Sequence, residues 1–413
     1  VNKVTRLRDQ IPEDTDVMTT HRSEASLYLN VNSSIFVLIF MGLVIIFTIM
    51  APTTKAEDLS VPAQFVQYLT LPGETNIIQR PSKIFVDHHF NEIYVTDPGN
   101  NRVLIFDSLN FFRYEFSGRG HFSMPLDLAV DSKGYIYILA ATAKGRELMK
   151  FDFDGSYIKT LTSVSPDESG QFDIRSIAID DSDRIFAMDE KGCQVVVFDG
   201  DGNRVDRFPV FSDMTDKGRG EIVTGETCIS GGRLYIPVSN VGMIYVYDLA
   251  GKLVRMIGHK GSNPGEMAFP VSVAVNKTGI VMILDKLRFN VICYTPDGKF
   301  LGEFGGKGLS PGWFYHPTLL AAIGTDEVYV GQIFRNRIQL CTIPEFIRTK
   351  ASRLISQLPS HSHKFSSSVN AQVFCFEEVI PGTELVTSTI RCFQHFLIPL
   401  NTTYYSMEVL QNA

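Results

Sequence analysis

From residue 61 onward the chain alternates short apolar runs with turn residues, and the runs recur. One of them places a large residue, usually aromatic, between two smaller apolar ones. It stands at Ile93-Tyr94-Val95, Ile136-Tyr137-Ile138, Ile185-Phe186-Ala187, Leu234-Tyr235-Ile236, Val281-Met282-Ile283 and Val328-Tyr329-Val330. Their first residues are 43, 49, 49, 47 and 47 apart, a period that suits one four-stranded propeller blade per repeat. A short apolar strand precedes each run, as in Ile84 to Asp87, Leu128 to Asp131 and Ile177 to Asp180, and a third strand follows, as in Val103 to Asp107 and Val195 to Asp199. Turn pairs such as Asp154-Gly155, Asp201-Gly202 and Asp297-Gly298 then lead into a fourth strand. Asp-Gly between alternating apolar segments is a strong hairpin signal. The pattern predicts an all-β six-bladed propeller over residues 61–344.

The sixth unit lacks its fourth strand, because Ile343 is followed by Pro344 and a helical pattern. A spare strand lies at the other end of the domain. Phe65 to Leu71 carries the Phe-x-x-x-Leu spacing that matches Phe300 to Phe304. This N-terminal strand is expected to complete the last blade and close the ring.

These residues resemble the NHL repeat, whose pattern runs Pro, apolar-Ala-Val-Asp, Gly-x-Ile-Tyr-Val-x-Asp, Asn-x-Arg-Val, Phe-Asp, Gly. The first unit carries Pro81, Val86-Asp87, Ile93 to Asp97, Asn100 to Val103 and Phe106-Asp107; the sixth keeps Phe314, Pro317, Tyr329 and Asn336-Arg337-Ile338. The fourth is the most divergent, with Val238 where Asp97, Asp189 and Asp285 stand. The resemblance covers residues 61–344 and implies the fold rather than a chemistry. Asp97 and Arg102 are read as a strand-end tie made by charge-assisted hydrogen bonds.

Ahead of the repeats, residues 25–54 carry no charge, and Ile35 to Met50 is almost purely apolar. With its flanks this stretch reaches the length of a membrane span. Two readings stand: a signal anchor over 32–52 behind a leader at 1–31, or a signal peptide cleaved after Ala56. Lys3, Arg6, Arg8 and Arg22 precede the segment and only Lys55 closely follows it. The positive-inside rule then puts the leader in the cytoplasm and the propeller outside, periplasmic or extracellular. After the repeats, residues 345–413 form a tail. Glu345 to Leu358 reads as an amphipathic helix, Ser360 to Ser368 as a linker, and 371–413 as apolar and β-like without clear periodicity.

Composition changes this picture little. The 413 residues carry a formal charge of −7, and no basic domain or stripe advertises nucleic acid. Six cysteines include no CxxC pair, which excludes the common zinc and haem attachment motifs. Four fall in strand-like runs and read as small core residues, while Cys375 and Cys392 in the tail can pair if it is exported.

Candidate chemistry sits in the loops that lead into each inner strand, at the mouth of the central channel. Amidating lyases with similar repeats place zinc-binding histidines just after the lead-in proline. Here those positions read as Ser82, Leu126, Ser176, Thr227, Val271 and Thr318, so that resemblance implies no such zinc site. Lactonase-like propellers hold calcium on channel acids, for which Asp127 and Glu226 are the candidates. No nucleophile elbow, HExxH or P-loop is present. The expectation is a membrane-anchored scaffold that binds a protein or other macromolecule, without a cofactor. Candidate contacts are Arg175, Trp313, Tyr315, His316 and His121, because aromatic and Arg side chains dominate interface hot spots. The alternative is a metal-dependent lyase or hydrolase at the channel mouth. Phe122, Phe269 and Phe314 are expected to pack between blades.

Overall fold

The computed structural model describes residues 61–73, 75–143, 145–161 and 172–358, together with the backbone of two strands in the tail. The leader, the apolar segment at 32–52 and the rest of the tail lie outside the described residues. No helix among the described residues is long and apolar enough to cross a membrane.

Six four-stranded antiparallel sheets form the blades of a propeller. The first strand in the chain, β1 (Gln64–Tyr68), belongs to the last blade. Blade 1 is β2 (Lys83–Asp87), β3 (Glu92–Asp97), β4 (Arg102–Asp107) and β5 (Phe112–Ser117). Blade 2 is β6 (Met124–Val130), β7 (Ile136–Thr142), β8 (Gly145–Phe151) and β9 (Tyr157–Thr160). Blade 3 is β10 (Ile174–Ile179), β11 (Ile185–Asp189), β12 (Gln194–Phe198) and β13 (Arg204–Pro209). Blade 4 is β14 (Cys228–Ser230), β15 (Arg233–Val238), β16 (Met243–Asp248) and β17 (Leu253–Ile257). Blade 5 is β18 (Pro270–Val275), β19 (Val281–Asp285), β20 (Asn290–Tyr294) and β21 (Phe300–Gly305). Blade 6 is β22 (Pro317–Ile323), β23 (Glu327–Gln332) and β24 (Arg337–Thr342), completed by β1.

β1 behaves as a true fourth strand. It pairs antiparallel with β24, Phe65 opposite Cys341 and Gln67 opposite Leu340, with Val66 bulged out between them. The fourth strand of blade 1 carries its bulge at the equivalent place, Tyr114 opposite Ile105 and Phe112 opposite Phe106. Blades 2 to 5 shift register at the same level. A bulge bends and twists its strand, so every outer strand turns the same way, including the one borrowed from the other end of the domain. Leu69 donates to the Ile338 carbonyl at 3.0 Å, and Gly305 of blade 5 donates to the Val61 carbonyl at 2.8 Å.

The blades pack through a repeated contact. At the outer strands of blades 1 to 3, the last apolar residue meets the turn glycine of the next blade. Phe116 lies under Gly155, Leu161 under Gly202 and Phe208 under Gly251. At Gly155 φ is +75° and an added Cβ would sit 2.3 Å from the Phe116 ring. Glycine is therefore required twice, for the backbone and for the close approach. After β24 the chain turns into a helix, α2 (Glu345–Ile355), beyond the short α1 (Asp216–Gly220) of the blade 3 to 4 loop. Ile347 and Ala351 of α2 are buried, and Gly302 of β21 leaves the room that Phe346 and Ile347 occupy.

Asp97 and Arg102 bond as the sequence predicts, Arg102 Nε donating to Asp97 Oδ2 at 2.8 Å. Asp97 also accepts from the Gln79 backbone N–H and from Asn100. It thus staples the lead-in loop to the turn between the second and third strands. Asp285 does the same in blade 5, accepting from the N–H groups of Ala268, Phe269, Leu287 and Arg288. In blade 4, where Val238 replaces the acid, the Val238 carbonyl takes the N–H of Gly242, and Ser239 reaches Pro270 O at 2.6 Å. Phe122 and Phe314 are buried and Phe269 half-buried. Cys193, Cys228, Cys293 and Cys341 are unpaired and at least partly buried. In the tail, Val373–Phe376 pairs with Arg391–Gln394, and the backbone register sets Cys375 opposite Cys392.

Closure by β1 makes the six blades one cooperative unit. Deleting residues 61–72 is expected to replace the single urea transition with a broad one of low slope, because the m-value follows the surface exposed on unfolding. An unchanged midpoint and slope would show that blade 6 stands without β1.

Candidate functional site

The inner strands carry a second bulge, and it decides which side chains face the channel. In β6 the pairing skips from Pro125 to Asp127; in β10 it skips from Ile174 to Ser176, in β18 from Pro270 to Ser272, and in β22 from Pro317 to Leu319. The residue just after the lead-in proline is thus the bulged one. The channel level is set one residue later. There Lys83 faces Thr96, Asp127 faces Leu139, Ser176 faces Met188, Ser272 faces Leu284 and Leu319 faces Gly331. Glu226 takes the corresponding place in blade 4, held by a parallel bridge to Ser272. Five of the six residues at this level are polar.

They converge on one cation. Lys83 Nζ lies 3.1 Å from Asp127 Oδ1 and 2.6 Å from Glu226 Oε1, the three side chains being 8, 5 and 13% exposed. The remaining oxygens are also engaged. Asp127 Oδ2 accepts from the Ile177 N–H at 2.9 Å, and Glu226 Oε2 accepts from Ser272 Oγ at 2.8 Å. Ser176 Oγ donates to Thr227 Oγ1 at 3.1 Å. Burial alone lowers the Lys83 pKa, but the two carboxylates outweigh it and hold the ammonium above the ordinary lysine value. Burial, with Asp127 adding to it, raises Glu226 above the usual carboxylate value despite Lys83. One ammonium between two carboxylates leaves an excess negative charge, and a proton on Glu226 relieves it. Two rungs further along, Phe85, Cys228 and alanines 129, 178, 274 and 321 continue the inner strands, so the polar level caps an apolar stretch. Burial there pushes the Cys228 thiol up to about 11.

Asp127 and Glu226, read from the sequence as calcium candidates, are therefore brought together. Lys83, which joins them, escaped the sequence reading because its search was set on the bulged position.

The other sequence candidates lie on the face where the lead-in loops emerge. In an antiparallel blade the turns between second and third strands emerge there too. Tyr315 and His316 meet two rings from such turns, Phe289 of blade 5 and Phe334 of blade 6. Ring centroids are 4.5 Å apart for Tyr315 and His316, 5.6 Å for Phe289 and His316, and 5.0 Å for His316 and Phe334. All three contacts are edge-to-face, a favoured aromatic geometry. Trp313 is half-buried, its carbonyl accepting from Gln339 Nε2 at 3.0 Å. His121 stacks on Tyr157 at 3.8 Å beside blade 2. Arg175 is exposed at blade 3 and its Nε lies 3.4 Å from the Thr224 carbonyl. The candidates thus fall in four separate places, and only Tyr315 and His316 share a cluster.

Phe289 and His316 also have left-handed backbones, φ +59° and +49°. The turn position of Phe289 is Asn101 in blade 1, the buried Cys193 in blade 3, Gly242 in blade 4 and Asn336 in blade 6, all with positive φ. Glycine and asparagine suit it; a phenylalanine there carries a cost of about 1–2 kcal/mol. The ring's contacts with Tyr315, His316 and Lys307 offset part of this cost, and strain of this kind clusters at functional sites.

The family profile described as "6-bladed beta-propeller" matches residues 221–305. A search of the curated proteins finds no match to the chain. Among solved structures it is similar to a protein of unknown function from Bacteroides thetaiotaomicron, at 12% identity and TM-score 0.50, over 68% of this chain and 73% of that one. It is also similar to a streptogramin B lyase (14%, 0.47, covering 67% and 87%) and to virginiamycin B lyase from Staphylococcus aureus (17%, 0.46, covering 67% and 88%). At these identities the likeness is one of fold.

Replacing Lys83 by Met leaves two buried carboxylates without a counter-charge, a change that costs about 3–5 kcal/mol. Their folded pKa values would then lie above the unfolded ones. The deficit in urea unfolding should be largest at pH 7 and shrink as the pH falls towards 4.5, the ordinary glutamate value. In the wild type the raised Glu226 pKa makes stability fall as pH rises through that range, and Glu226→Gln should remove this slope. A second prediction concerns Gly225, where a Cβ would sit 2.5 Å from the Val271 carbonyl that accepts the Glu226 N–H. Gly225→Ala should lower the melting temperature and weaken the Glu226 contribution to the pH dependence, both readable by calorimetry.

Proposed function

We propose that the chain is an extracytoplasmic propeller, held at a membrane by residues 32–52, that binds a protein or other macromolecule as a non-catalytic scaffold. The observation that carries this reading is the contrast between channel and face. In the channel the two acids share the Lys83 ammonium at 2.6 and 3.1 Å, and their other oxygens accept from Ile177 and Ser272. On the face where the lead-in loops emerge, the half-buried rings of Tyr315, His316 and Phe289 and the exposed Phe334 form a cluster on the blades, and loops on rigid scaffolds commonly carry binding. The anchor and its orientation rest on the uncharged run 25–54 and on Arg6, Arg8 and Arg22 ahead of it.

The second reading is a metal-dependent lyase or hydrolase. In its favour, Asp127 and Glu226 converge on one cationic atom, and calcium accepts carboxylate oxygens. It requires Lys83 to swing out. Metal analysis of the purified protein, with and without added calcium, separates the readings. Stoichiometric metal lost in Asp127→Asn favours the enzyme; none favours the scaffold.

Full-length protein is expected in the carbonate-washed membrane pellet, and a chain starting at residue 61 in the supernatant. Alanine at both Trp313 and Tyr315 should weaken partner capture from solubilised membranes by about tenfold, the scale of a hot-spot pair, without moving the melting temperature. Capture at the wild-type level would place binding elsewhere on the domain.

A further inference from the structure

The charges around the aromatic cluster are arranged asymmetrically. Lys307, Arg335 and Arg80 are exposed beside it and have no ion-pair partner among the described residues. The Lys307 ammonium lies 5.7 Å from the Phe289 ring centroid, and the Arg80 N–H donates to Asn336 Oδ1 next to Arg335. The acids of the adjoining loops are all engaged. Asp285 is buried under four backbone N–H groups. Glu303 is held by Arg288 at 2.7 Å, and Glu266 by His259 and Asn263. A chain of net charge −7 thus presents free cations at this corner. Phe334 of the cluster and Leu287 and Leu309 of the adjoining loops are 66, 59 and 53% exposed.

We infer that this corner of blades 5 and 6 docks an acidic polypeptide segment that carries an aromatic or aliphatic anchor. The inference rests on the scaffold reading and narrows it to one patch and one partner chemistry. Opposite charge on the partner follows from the three unpartnered cations, since complementary potential steers encounter and fixes register. A polypeptide fits better than a nucleic acid because the rings meet edge-to-face around His316 and are flanked by two leucines. Phe289 and Tyr315 lie nearly parallel to each other, 21° apart in plane, so their faces are turned on one another, and the exposed Phe334, Leu287 and Leu309 offer apolar contacts suited to peptide side chains. The strained phenylalanine at position 289 is then explained: an asparagine would relax the turn but remove the ring that supports both Lys307 and His316.

The test uses the full chain in mild detergent and fluorescence anisotropy. The probes are a labelled 12-residue peptide alternating Asp or Glu with Leu, Phe and Trp, its Lys-for-acid counterpart, its Ala-for-apolar counterpart, and a poly-dT oligonucleotide. The acidic amphipathic peptide should bind, and the basic one should not. Phe334→Ala and the pair Lys307→Glu with Arg335→Glu should each weaken binding by about tenfold or more. Phe289→Asn should weaken it while raising the melting temperature or leaving it unchanged, which a merely structural role for the ring does not allow. Equal affinity for the basic peptide, indifference to these substitutions, or poly-dT binding lost in Phe334→Ala would overturn the inference. If the peptide fails while Trp313→Ala with Tyr315→Ala still reduces partner capture, the scaffold reading survives and this partner chemistry does not.

Discussion

Everything in this domain depends on a backbone pairing between residues almost 280 positions apart, β1 with β24. A propeller has no structural beginning, but a polypeptide does, and unless its two ends meet in one sheet the last blade keeps an open edge. The borrowed strand meets this demand in detail, because it repeats the bulge that every other outer strand carries. Twist is therefore continuous around the ring, and each blade presents the same surface to its neighbour. The Asp-Gly turns, the buried outer-strand residues and the stapling acids are local devices whose geometry presupposes that continuity.

Most of this architecture was legible because it repeats. A period near 47 residues, Asp-Gly turns and a missing sixth fourth strand fix the blade count and the closure without any long-range information. The amphipathic pattern after Pro344 likewise gave α2, which ends at Ile355, one turn before the reading from sequence. What repetition hides is departure from it. A bulge leaves no mark on hydrophobic periodicity except a one-residue change of face. The proline that announces four of the six inner strands pointed to the residue after it, while the pairing turns the next residue inward. For that reason Lys83, Ser272 and Leu319 were missed although Asp127 and Glu226 were not.

The ring cluster was half legible for a related reason. Lead-in loops drew attention to Tyr315 and His316, but Phe289 and Phe334 enter from turns on the far side of their strands. Only the antiparallel course of the blade brings both sets to one face. A sequence signal did exist. At a turn position filled by asparagine or glycine in blades 1, 4 and 6, and by a small buried cysteine in blade 3, blade 5 has a large half-exposed phenylalanine. A bulky ring that contradicts its local backbone and is not buried by the fold, unlike the cysteine of blade 3, marks a place where something other than folding acts.

The Lys83 contact has one more consequence, for the history of the chain rather than its stability. Repeat arrays usually grow and shrink by gaining, losing or exchanging whole units, because each unit touches only its neighbours. Here the side chains of blades 1, 2 and 4 form one charge arrangement across the axis. Moving blade 4 to another position would carry Glu226 away from its cation and bring a leucine or a serine in its place. The blades look alike, yet their order is written into the middle of the ring, and drift at any one of these three positions is tied to the other two.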